Sequence, residues 1–405
     1  MNHPSRRRFF RFLAASPLLA RGEARADALN DPQNRARVDT DKPISSPGQA
    51  LDVFDFEPAM RAAVPPAHFG YMATGVDGEQ TLRANRDAFL HYQLRPRRLV
   101  DVSQIDTRVN LFGTVYASPI FVCPTGSNKA WHPDGEIAVA KAARKGDHAQ
   151  ILSTVATTSI EDAIAAREGP VWFQLYPTST WEIAAGLARR AEAAGAPVIA
   201  VTLDVLARQN WETLARLRRL DTRDCRACHG SGPLDGYARK PNFDGLDTAS
   251  IKSFNATGLT WDVVKRLRDT VKTKLVLKGI VTGEDATLAL EAGVDGLLVS
   301  NHGGRNEDSN RGTIAALPEI AAAVQGKIPV LIDSGFRRGT DIVKALAMGA
   351  TAVGIGRPYL WGLGAFGQPG VERVLEILRT ETRAVMQQIG APSLDRIVPS
   401  MVRRA

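Results

Sequence analysis

Eight short apolar runs that alternate with helix patterns constrain the fold of this 405-residue chain more than any other feature. From Ser118 onward the runs lie at 119–123, 149–153, 171–175, 197–203, 274–278, 294–300, 328–333 and 351–355. They are rich in β-branched residues and apolar on both faces, which is typical of strands in a buried parallel sheet. The intervals between them leave room for a helical crossover after each strand.

The intervals also carry residues that begin and end helices. Candidate N-caps stand at Ser159, Thr180, Thr282 and Thr340. Candidate stop signals stand at Gly195, Gly293 and Gly349. Eight such units in a row predict an α/β protein, a closed (β/α)8 TIM barrel over 118–405. An open doubly wound sheet is the structural alternative.

Two segments fall outside this regular pattern. The stretch 27–117 precedes the barrel, and we expect a mostly helical N-terminal extension that packs on it. The stretch 205–260 separates the fourth strand from a helix that begins near Thr260, and it is rich in Arg, Asp and Gly. Connections this long inside a compact domain are usually functional or disordered. The sequence therefore predicts an insertion after strand 4.

Residues 1–26 have the pattern of a twin-arginine signal peptide. Ser5-Arg-Arg-Arg-Phe-Phe10 is followed by a short apolar stretch and then by Ala24-Arg25-Ala26, which resembles a cleavage site. We expect export to the periplasm, with a basic disordered tail as the alternative. The signal holds six arginines and one glutamate, so it supplies five of the eight net positive charges of the chain. The high positive charge is therefore no indication of nucleic-acid binding.

Polar residues follow the strands at the end where barrel active sites form. Lys278 follows the fifth strand, and Ser300-Asn-His302-Gly-Gly-Arg305 follows the sixth. The motifs Asp333-Ser-Gly-Phe-Arg337 and Gly354-Ile-Gly-Arg357 follow the last two strands. Glycine lets a backbone approach a phosphate, and arginine binds it with charge-assisted hydrogen bonds. A ring attached to such a phosphate would lie near Lys278, whose cation stabilises a reduced anion, and near His302, which can act as a base.

Five of these stretches together resemble one enzyme family. "FQLY", "LKGI", "SNHGGR", "DSGFRRGTDIVKALAMGA" and "GIGRP" are similar to motifs of the FMN-dependent α-hydroxy acid oxidases and dehydrogenases. That family includes glycolate oxidase, flavocytochrome-type lactate dehydrogenases and mandelate dehydrogenase. The resemblance covers roughly residues 55–400. It implies an FMN-binding TIM barrel that oxidises a 2-hydroxy acid to a 2-oxo acid and passes electrons to oxygen, a quinone or a cytochrome.

The resemblance also implies roles for matching positions. His302 would be the base, Asp204 would pair with its imidazolium, Arg305 would bind the substrate carboxylate and Tyr176 would hydrogen-bond the substrate. Lys278 would lie at the pyrimidine edge of the flavin. The flavin ring would be lined by Pro124, Thr125, Ser153, Gln174 and Thr202. The ribityl phosphate would be held by Asp333, Gly335, Arg337, Gly356 and Arg357.

Two positions depart from the family pattern. The family usually places a substrate-binding tyrosine two residues before the position of Tyr71, where this chain has Phe69. It also usually has an arginine after strand 4, where an ungapped count reaches Trp211. Each lost charge-assisted contact is worth on the order of 1.5–3 kcal/mol. We therefore expect a more apolar substrate pocket and a substrate bulkier than glycolate or lactate. Two alternatives are an oxidase that makes hydrogen peroxide and a non-catalytic FMN-binding barrel.

The predicted insertion contains the motif Cys225-Arg-Ala-Cys228-His229. This CxxCH spacing is the pattern that attaches haem c covalently, with the histidine as an iron ligand. An exported flavin enzyme needs an electron outlet, and a haem would provide it. A metal or redox-thiol site and a loop without cofactor are the alternatives. The remaining cysteine, Cys123, lies in an apolar run and is predicted to be a core residue, and a homo-oligomer is compatible with the resemblance.

Overall fold

The computed structural model describes residues 42–207, 209–223, 239–251 and 256–405. The chain divides into a unit at 1–43, of which only the last two residues are described, and a unit at 44–405. Every element below belongs to the second unit. None of the helices in these described ranges combines the length and the apolar character needed to cross a bilayer.

Eight parallel strands close into a barrel, in the chain order that the sequence predicts. In the described residues the strands are β1 Tyr92–Leu94, β2 Val109–Leu111, β3 Thr114–Tyr116, β4 Ile120–Val122, β5 Ala149–Ser153, β6 Trp172–Leu175, β7 Val198–Thr202, β8 Lys274–Ile280, β9 Gly296–Val299, β10 Val330–Ile332, β11 Ala352–Ile355 and β12 Val402–Arg404. Strands β4 to β11 pair in sequence, and β11 pairs back with β4. The predicted TIM barrel is confirmed, and the closing pair excludes the open sheet.

Helices connect and cover the barrel strands. Their bounds are α1 Phe56–Ala63, α2 Pro66–Ala73, α3 Gln80–Asp87, α4 Gly135–Gly146, α5 Ile160–Arg167, α6 Trp181–Ala193, α7 Glu212–Arg218, α8 Asp262–Thr270, α9 Gly283–Glu291, α10 Thr313–Val324, α11 Gly339–Ala347 and α12 Arg357–Ile389. The long α12 is broken at Gly367, whose φ of 63° is not helical. The main apolar core lies between this layer and the outer face of the barrel.

The amino-terminal end of the barrel is closed by an antiparallel hairpin of β2 and β3. Leu111 and Tyr116 from this hairpin join Phe121, Trp172 and other inward-facing residues in a second buried cluster. Because the amino-terminal end is filled by packed side chains, the carboxyl ends of the strands are the open side of the barrel, where a site can form.

The segment after β7 begins with ordered structure that packs on the N-terminal part of the chain. Helix α7 lies against α2, and the approach is close enough that a Cβ on Gly70 would stand 3.0 Å from Leu217 Cβ. Short 3-10 turns occur at Pro241–Phe243 and Thr248–Ser250. The predicted haem motif, Cys225, Cys228 and His229, lies outside the described residues.

Candidate active site

A cavity opens at the carboxyl ends of the barrel strands. It measures about 840 Å³ including the space at its mouth, within the ~300–1,000 Å³ of pockets that hold ligands of cofactor size. Among the residues that line it are eleven of those predicted from the sequence, namely Pro124, Thr125, Tyr176, Lys278, His302, Arg305, Asp333, Gly335, Arg337, Gly356 and Arg357.

A histidine and an aspartate form a hydrogen-bonded pair at this cavity. His302 Nδ1 lies 2.8 Å from Asp204 Oδ1, and His302 Nε2 lies 3.4 Å from the hydroxyl of Tyr176. The backbone of His302 is left-handed (φ 57°) and so are the two glycines that follow. Gly304 is required there because a Cβ would stand 2.5 Å from the backbone nitrogen of Leu82. The "NHGG" sequence therefore builds the sharp turn that carries His302 at the cavity.

Lys278 on β8 lies between the two strands that carry this pair. Its Nζ donates to Ser300 Oγ at 3.0 Å and lies 3.8 Å from Asp204 Oδ2. Burial disfavours the Asp204 carboxylate, but the charge of Lys278 and the hydrogen bond from His302 outweigh it and lower the pKa of Asp204 to about 2. Burial likewise opposes the charge of Lys278, and Asp204 together with Asp333 outweighs it, so the pKa of Lys278 is raised. The site therefore holds a fixed cation next to a fixed anion.

His302 is kept neutral by its surroundings. Burial and then the charge of Lys278 lower its pKa, and Asp204 offsets this only in part. A neutral imidazole whose Nδ1 is held by a carboxylate presents Nε2 as a proton acceptor. This arrangement can perform general-base chemistry.

Three more predicted residues form a buried row on adjacent strands. Ser153 Oγ donates to Gln174 Oε1 at 3.1 Å, and Gln174 Nε2 donates to Thr202 Oγ1 at 2.8 Å. The three side chains are buried, and they are not among the residues that line the cavity. Strand register explains the contacts, since Ser153 pairs with Gln174, and Thr202 lies two residues beyond Ala200, the partner of Gln174.

Two arginines at the cavity provide positive charge that no carboxylate in the described part of the chain neutralises directly. Arg337 donates to the carbonyl of Phe336, and Arg357 donates to the carbonyls of Met72, Gly303 and Thr74. Burial first, and then neighbouring arginines, lower the pKa of each guanidinium to about 9. Carboxylates, Glu57 among them, offset this burial only in part, and a bound anion would relieve the remaining cost of burying two cations.

The surroundings of these arginines suit the phosphate of FMN. Arg357 begins α12, whose first backbone N–H groups have no partner within the helix. Gly356 precedes it, and a Cβ there would meet no atom closer than 4.0 Å, so the backbone is open to a ligand. Two guanidinium groups and a helix N-terminus are the donors that a phosphate needs. With Lys278 beside the cavity, the residues present fit FMN. Arg337, Gly356 and Arg357 would hold its phosphate, and Pro124, Thr125 and Lys278 would contact the ring.

The structure corrects the prediction for Phe69. Its side chain packs in the main core, and it does not line the cavity. Tyr71 lines the cavity instead. The two residues are two positions apart on α2, and a rotation of about 200° turns them to opposite sides of a helix. A tyrosine hydroxyl is therefore present at the pocket, and the predicted loss of that donor is wrong.

Trp211 also does not line the cavity, although it contacts residues that do. Its Nε1 donates to the carbonyl of Arg305 at 3.0 Å, and its ring meets the Tyr71 ring edge-on at 5.7 Å between centroids. Arg305 itself lines the cavity, and its Nη1 donates to the carbonyls of Tyr71 and Thr74. Trp211 is therefore adjacent to the substrate side of the site and is separated from it by Arg305.

Sequence reasoning missed several residues of this region. Trp131 lines the cavity and stacks with Tyr71 at 6.0 Å. Asn306 Nδ2 donates to Asp204 Oδ1 at 3.2 Å, and Gln209 Nε2 donates to Asn306 Oδ1 at 3.2 Å. The position of Asn306 directly after the "SNHGGR" motif was the signal that could have identified it. Cys123, predicted as core, is buried and borders the cavity.

Metal-binding clusters of three or more His, Cys, Asp or Glu residues are absent from the described ranges. His229, the predicted iron ligand, is not within those ranges.

Comparisons with known proteins agree with this geometry. The model of the FMN-dependent dehydrogenase family matches residues 60–404. The L-lactate oxidase of Lysinibacillus sphaericus (strain C3-41) is 40% identical over 346 residues, which cover 84% of this chain and 89% of that protein. Glycolate oxidase 1 of Oryza sativa subsp. japonica is 37% identical over 361 residues, covering 86% and 94%. A soluble mutant of the membrane-associated (S)-mandelate dehydrogenase from Pseudomonas putida superimposes with a TM-score of 0.80 at 34% identity, covering 88% of this chain and all of that one.

Proposed function

Because the chain belongs to the family of FMN-dependent dehydrogenases and is an FMN-dependent 2-hydroxy acid oxidase or dehydrogenase, we propose three finer properties for it. Its substrate is bulkier than glycolate or lactate. Its electrons leave for a haem c at Cys225 and Cys228, or for an external cytochrome or quinone. It is exported to the periplasm by the signal at 1–26.

The observation that carries the proposed chemistry is the hydrogen bond between His302 and Asp204 at the cavity. FMN, when bound, supplies the two-electron acceptor that the oxidation requires. His302 Nε2 takes a substrate proton, and the adjacent Asp204 carboxylate stabilises the imidazolium that forms. Tyr176, whose hydroxyl lies near the same Nε2, hydrogen-bonds the substrate oxygen. A non-catalytic FMN-binding barrel would have no use for this pair.

Arg305 supports an anionic substrate. The hydrogen bonds of Arg305 to described residues use Nη1. In the described residues Nε and Nη2 donate to no backbone carbonyl, and a guanidinium can bind a carboxylate bidentately through these two groups. Burial lowers the pKa of Arg305, so a bound carboxylate would also compensate a desolvated cation.

Aromatic residues support a bulky substrate. Tyr71, Trp131 and Tyr176 line the cavity. Aromatic rings bury large apolar groups well. We expect (S)-mandelate to be oxidised with a higher kcat/KM than L-lactate or glycolate. A higher kcat/KM for glycolate would contradict the proposed bulk.

The proton-transfer role is tested by mixing the purified holoenzyme with each acid without oxygen and following flavin absorbance. We expect the wild type to bleach, and His302→Ala to retain FMN without bleaching. Normal bleaching by His302→Ala would remove the base assignment. The matched control is His91→Ala, since His91 is an exposed histidine that does not line the cavity. We expect His91→Ala to bleach as the wild type does.

The proposed haem outlet rests on the CxxCH motif and on the signal, because haem is attached outside the cytoplasm. The absorption spectrum of the exported protein, taken before and after denaturation, tests it. A cytochrome band that stays with the denatured wild-type chain, and is lost in Cys225→Ala/Cys228→Ala, is expected. Flavin absorbance alone would overturn the haem.

The second candidate is an oxidase that reduces oxygen to hydrogen peroxide. It is favoured by the names of the relatives, which include an L-lactate oxidase and a glycolate oxidase. Substrate-dependent oxygen consumption at a rate equal to turnover would establish it. We expect slow oxygen consumption and fast reduction of a cytochrome or quinone analogue.

Export is tested by cell fractionation. We expect the wild type in the periplasm and an Arg6→Lys/Arg7→Lys variant in the cytoplasm, since the signal is recognised through its arginine pair. The same distribution of wild type and variant between periplasm and cytoplasm would contradict the proposed signal.

A further inference from the structure

We infer that Trp211 is a positioning residue for Arg305. In the proposed function, Arg305 binds the substrate carboxylate. The inference rests on that role of Arg305 and goes beyond it. Trp211 does not contact the cavity, yet two separate contacts connect it to Arg305. Substrate affinity would therefore depend on a residue that the substrate does not touch.

The first contact fixes the guanidinium. Its central carbon lies 4.6 Å from the centre of the Trp211 ring and 4.8 Å from the centre of the Tyr71 ring. Both distances are within the ~6 Å of a cation–π interaction. The two rings meet at 80° with centroids 5.7 Å apart, so the guanidinium lies in the corner between them. A flexible side chain with four rotatable bonds is thereby restricted to one direction.

The second contact fixes the backbone of the same residue. Trp211 Nε1 donates to the Arg305 carbonyl at 3.0 Å. The indole therefore holds Arg305 at both ends, through its ring face and through its N–H. The guanidinium also donates to the carbonyls of Tyr71 and Thr74, at the end of α2.

The location of Trp211 is fixed independently of the substrate. Trp211 precedes α7, which packs against α2. Thr213 Oγ1 donates to Glu79 Oε1 at 2.7 Å, and Asn210 O accepts from the backbone of Asp77 at 3.0 Å. Trp211 is therefore held in place by its own segment and can act as a support for Arg305.

The test measures binding of a ligand that cannot react. The probe is (S)-2-hydroxy-2-phenylpropanoate, which has the carboxylate and hydroxyl groups of a 2-hydroxy acid but no hydrogen on the α-carbon. Its amide is the neutral reference. Dissociation constants of both are measured by calorimetry on the FMN-loaded wild type, Trp211→Leu, Trp211→Phe and Arg305→Leu.

We expect Trp211→Leu to weaken binding of the acid roughly 3- to 30-fold, the range of one cation–π contact. Binding of the amide should hardly change. Trp211→Phe, which keeps a ring over the guanidinium but loses the N–H donor to the Arg305 carbonyl, should bind the acid more tightly than Trp211→Leu and less tightly than the wild type. Trp211→Gln, which keeps an N–H donor and removes the ring, should resemble Trp211→Leu and serves as a second variant if Trp211→Leu does not fold.

The matched control is Trp181→Leu. Trp181 also begins a helix and also holds an arginine, Arg266, at 3.9 Å over its ring, but it does not line the cavity or contact Arg305. We expect the preference for acid over amide to be unchanged in this variant. A similar loss in Trp181→Leu would mean that the effect of Trp211 is general destabilisation, and the inference would fail.

Arg305→Leu separates the inference from the proposed function. If it abolishes the preference for acid over amide while Trp211→Leu retains it, the role of Arg305 stands and the role of Trp211 is refuted. If wild type and Arg305→Leu both bind acid and amide alike, Arg305 does not bind the carboxylate, and both proposals fall. Loss of acid binding in both variants, with amide binding retained, supports both.

Discussion

Replacement of Asp204 by Asn isolates the charge that the proposed mechanism uses. Asparagine keeps an oxygen at the position of Oδ1, so it can still accept the hydrogen bond from His302 Nδ1, which is 2.8 Å long in the wild type. The negative charge is lost, and with it the stabilisation of the imidazolium. Flavin reduction should therefore slow, while FMN binding should be retained.

The magnitude follows from the distance between the charges. Two unit charges about 4 Å apart interact by about 4 kcal/mol at an effective dielectric constant of about 20. Lys278, 3.8 Å from the other carboxylate oxygen, already compensates part of the aspartate charge. We therefore expect flavin reduction to be on the order of 10²- to 10³-fold slower in Asp204→Asn.

The assay is anaerobic stopped-flow measurement of flavin absorbance across pH, at saturating substrate for the limiting rate and at lower substrate concentrations for kcat/KM. Burial and Lys278 lower the pKa of His302, and Asp204 partly offsets them. Loss of Asp204 therefore lowers the pKa of His302 further. The acid limb of kcat/KM should move to lower pH while the plateau falls.

Asp295→Asn is the control. Asp295 also pairs with two cations, Arg268 at 2.6 Å and Lys274 at 2.9 Å, but it precedes β9 at the opposite end of the barrel. Its replacement should leave the rate of flavin reduction unchanged. A near-normal rate in Asp204→Asn, or an acid limb that moves to higher pH, would refute the reasoning.

Three further predictions concern other parts of the molecule. Tyr71→Phe should raise KM for acid substrates by roughly 10-fold or more if the hydroxyl binds the carboxylate. Phe69→Tyr should leave kcat and KM unchanged, because Phe69 lies in the core. Steady-state kinetics of the two variants test both expectations. Arg337→Leu should weaken FMN binding roughly 10- to 100-fold, the loss of one charge-assisted phosphate contact, as measured by fluorescence titration of the apoprotein, and an unchanged affinity would contradict the phosphate site. Burial lowers the pKa of His148 to about 4, below the unfolded value of about 6.5, so its contribution to stability is complete above that value and is lost as pH falls towards 4. Between about pH 6.5 and about pH 4, the free energy of unfolding measured with urea should fall by about 3 kcal/mol less in His148→Asn than in the wild type. An equal fall in the two proteins would contradict this.

The apolar runs predicted the barrel strands well because the strands of a parallel barrel are buried on both faces. Each apolar run became a strand. Most strands are shorter than their runs at one or both ends, as at Gly296–Val299 within 294–300, whereas Ala149–Ser153 matches its run and Lys274–Ile280 extends two residues beyond it. Helix starts were less predictable. Ser159 and Thr282 cap their helices through their side chains as expected. Thr180 instead donates to the carbonyl of Ser250, so a distant partner replaced its local role.

Thr340 was also wrong as a cap. Helix α11 begins at Gly339 with Arg338 at the N-cap position, two residues before Thr340, and Asp341 accepts the backbone N–H groups of Arg337 and Arg338. The same carboxylate accepts from Arg86 at 2.7 Å. Arg86, from a distant part of the chain, thus stabilises Asp341 at the start of the helix. A local sequence motif contains no information on such a partner.

The proton-transfer residues could be predicted for a reason that follows from barrel closure. Asp204 follows β7 and His302 follows β9, and β8, which carries Lys278, lies between these strands. Closure of the sheet is enough to bring the three side chains to one edge. The prediction for the substrate pocket was wrong at Phe69, where the position of the side chain depends on packing between helices. Both Phe69 and Tyr71 fit an apolar helix, and the sequence does not indicate which of them faces the cavity.

This difference separates the part of the site that performs chemistry from the part that selects substrate. The proton-transfer pair is attached to barrel strands, whereas Tyr71 is carried by α2 and Trp211 by the start of α7. Gly70 permits the close approach of these helices, because a Cβ there would stand 3.0 Å from Leu217 Cβ. That approach sets the corner between the Tyr71 and Trp211 rings in which Arg305 lies. Changes in the packing of α2 on α7 can therefore alter how the substrate carboxylate is held without moving His302 or Asp204.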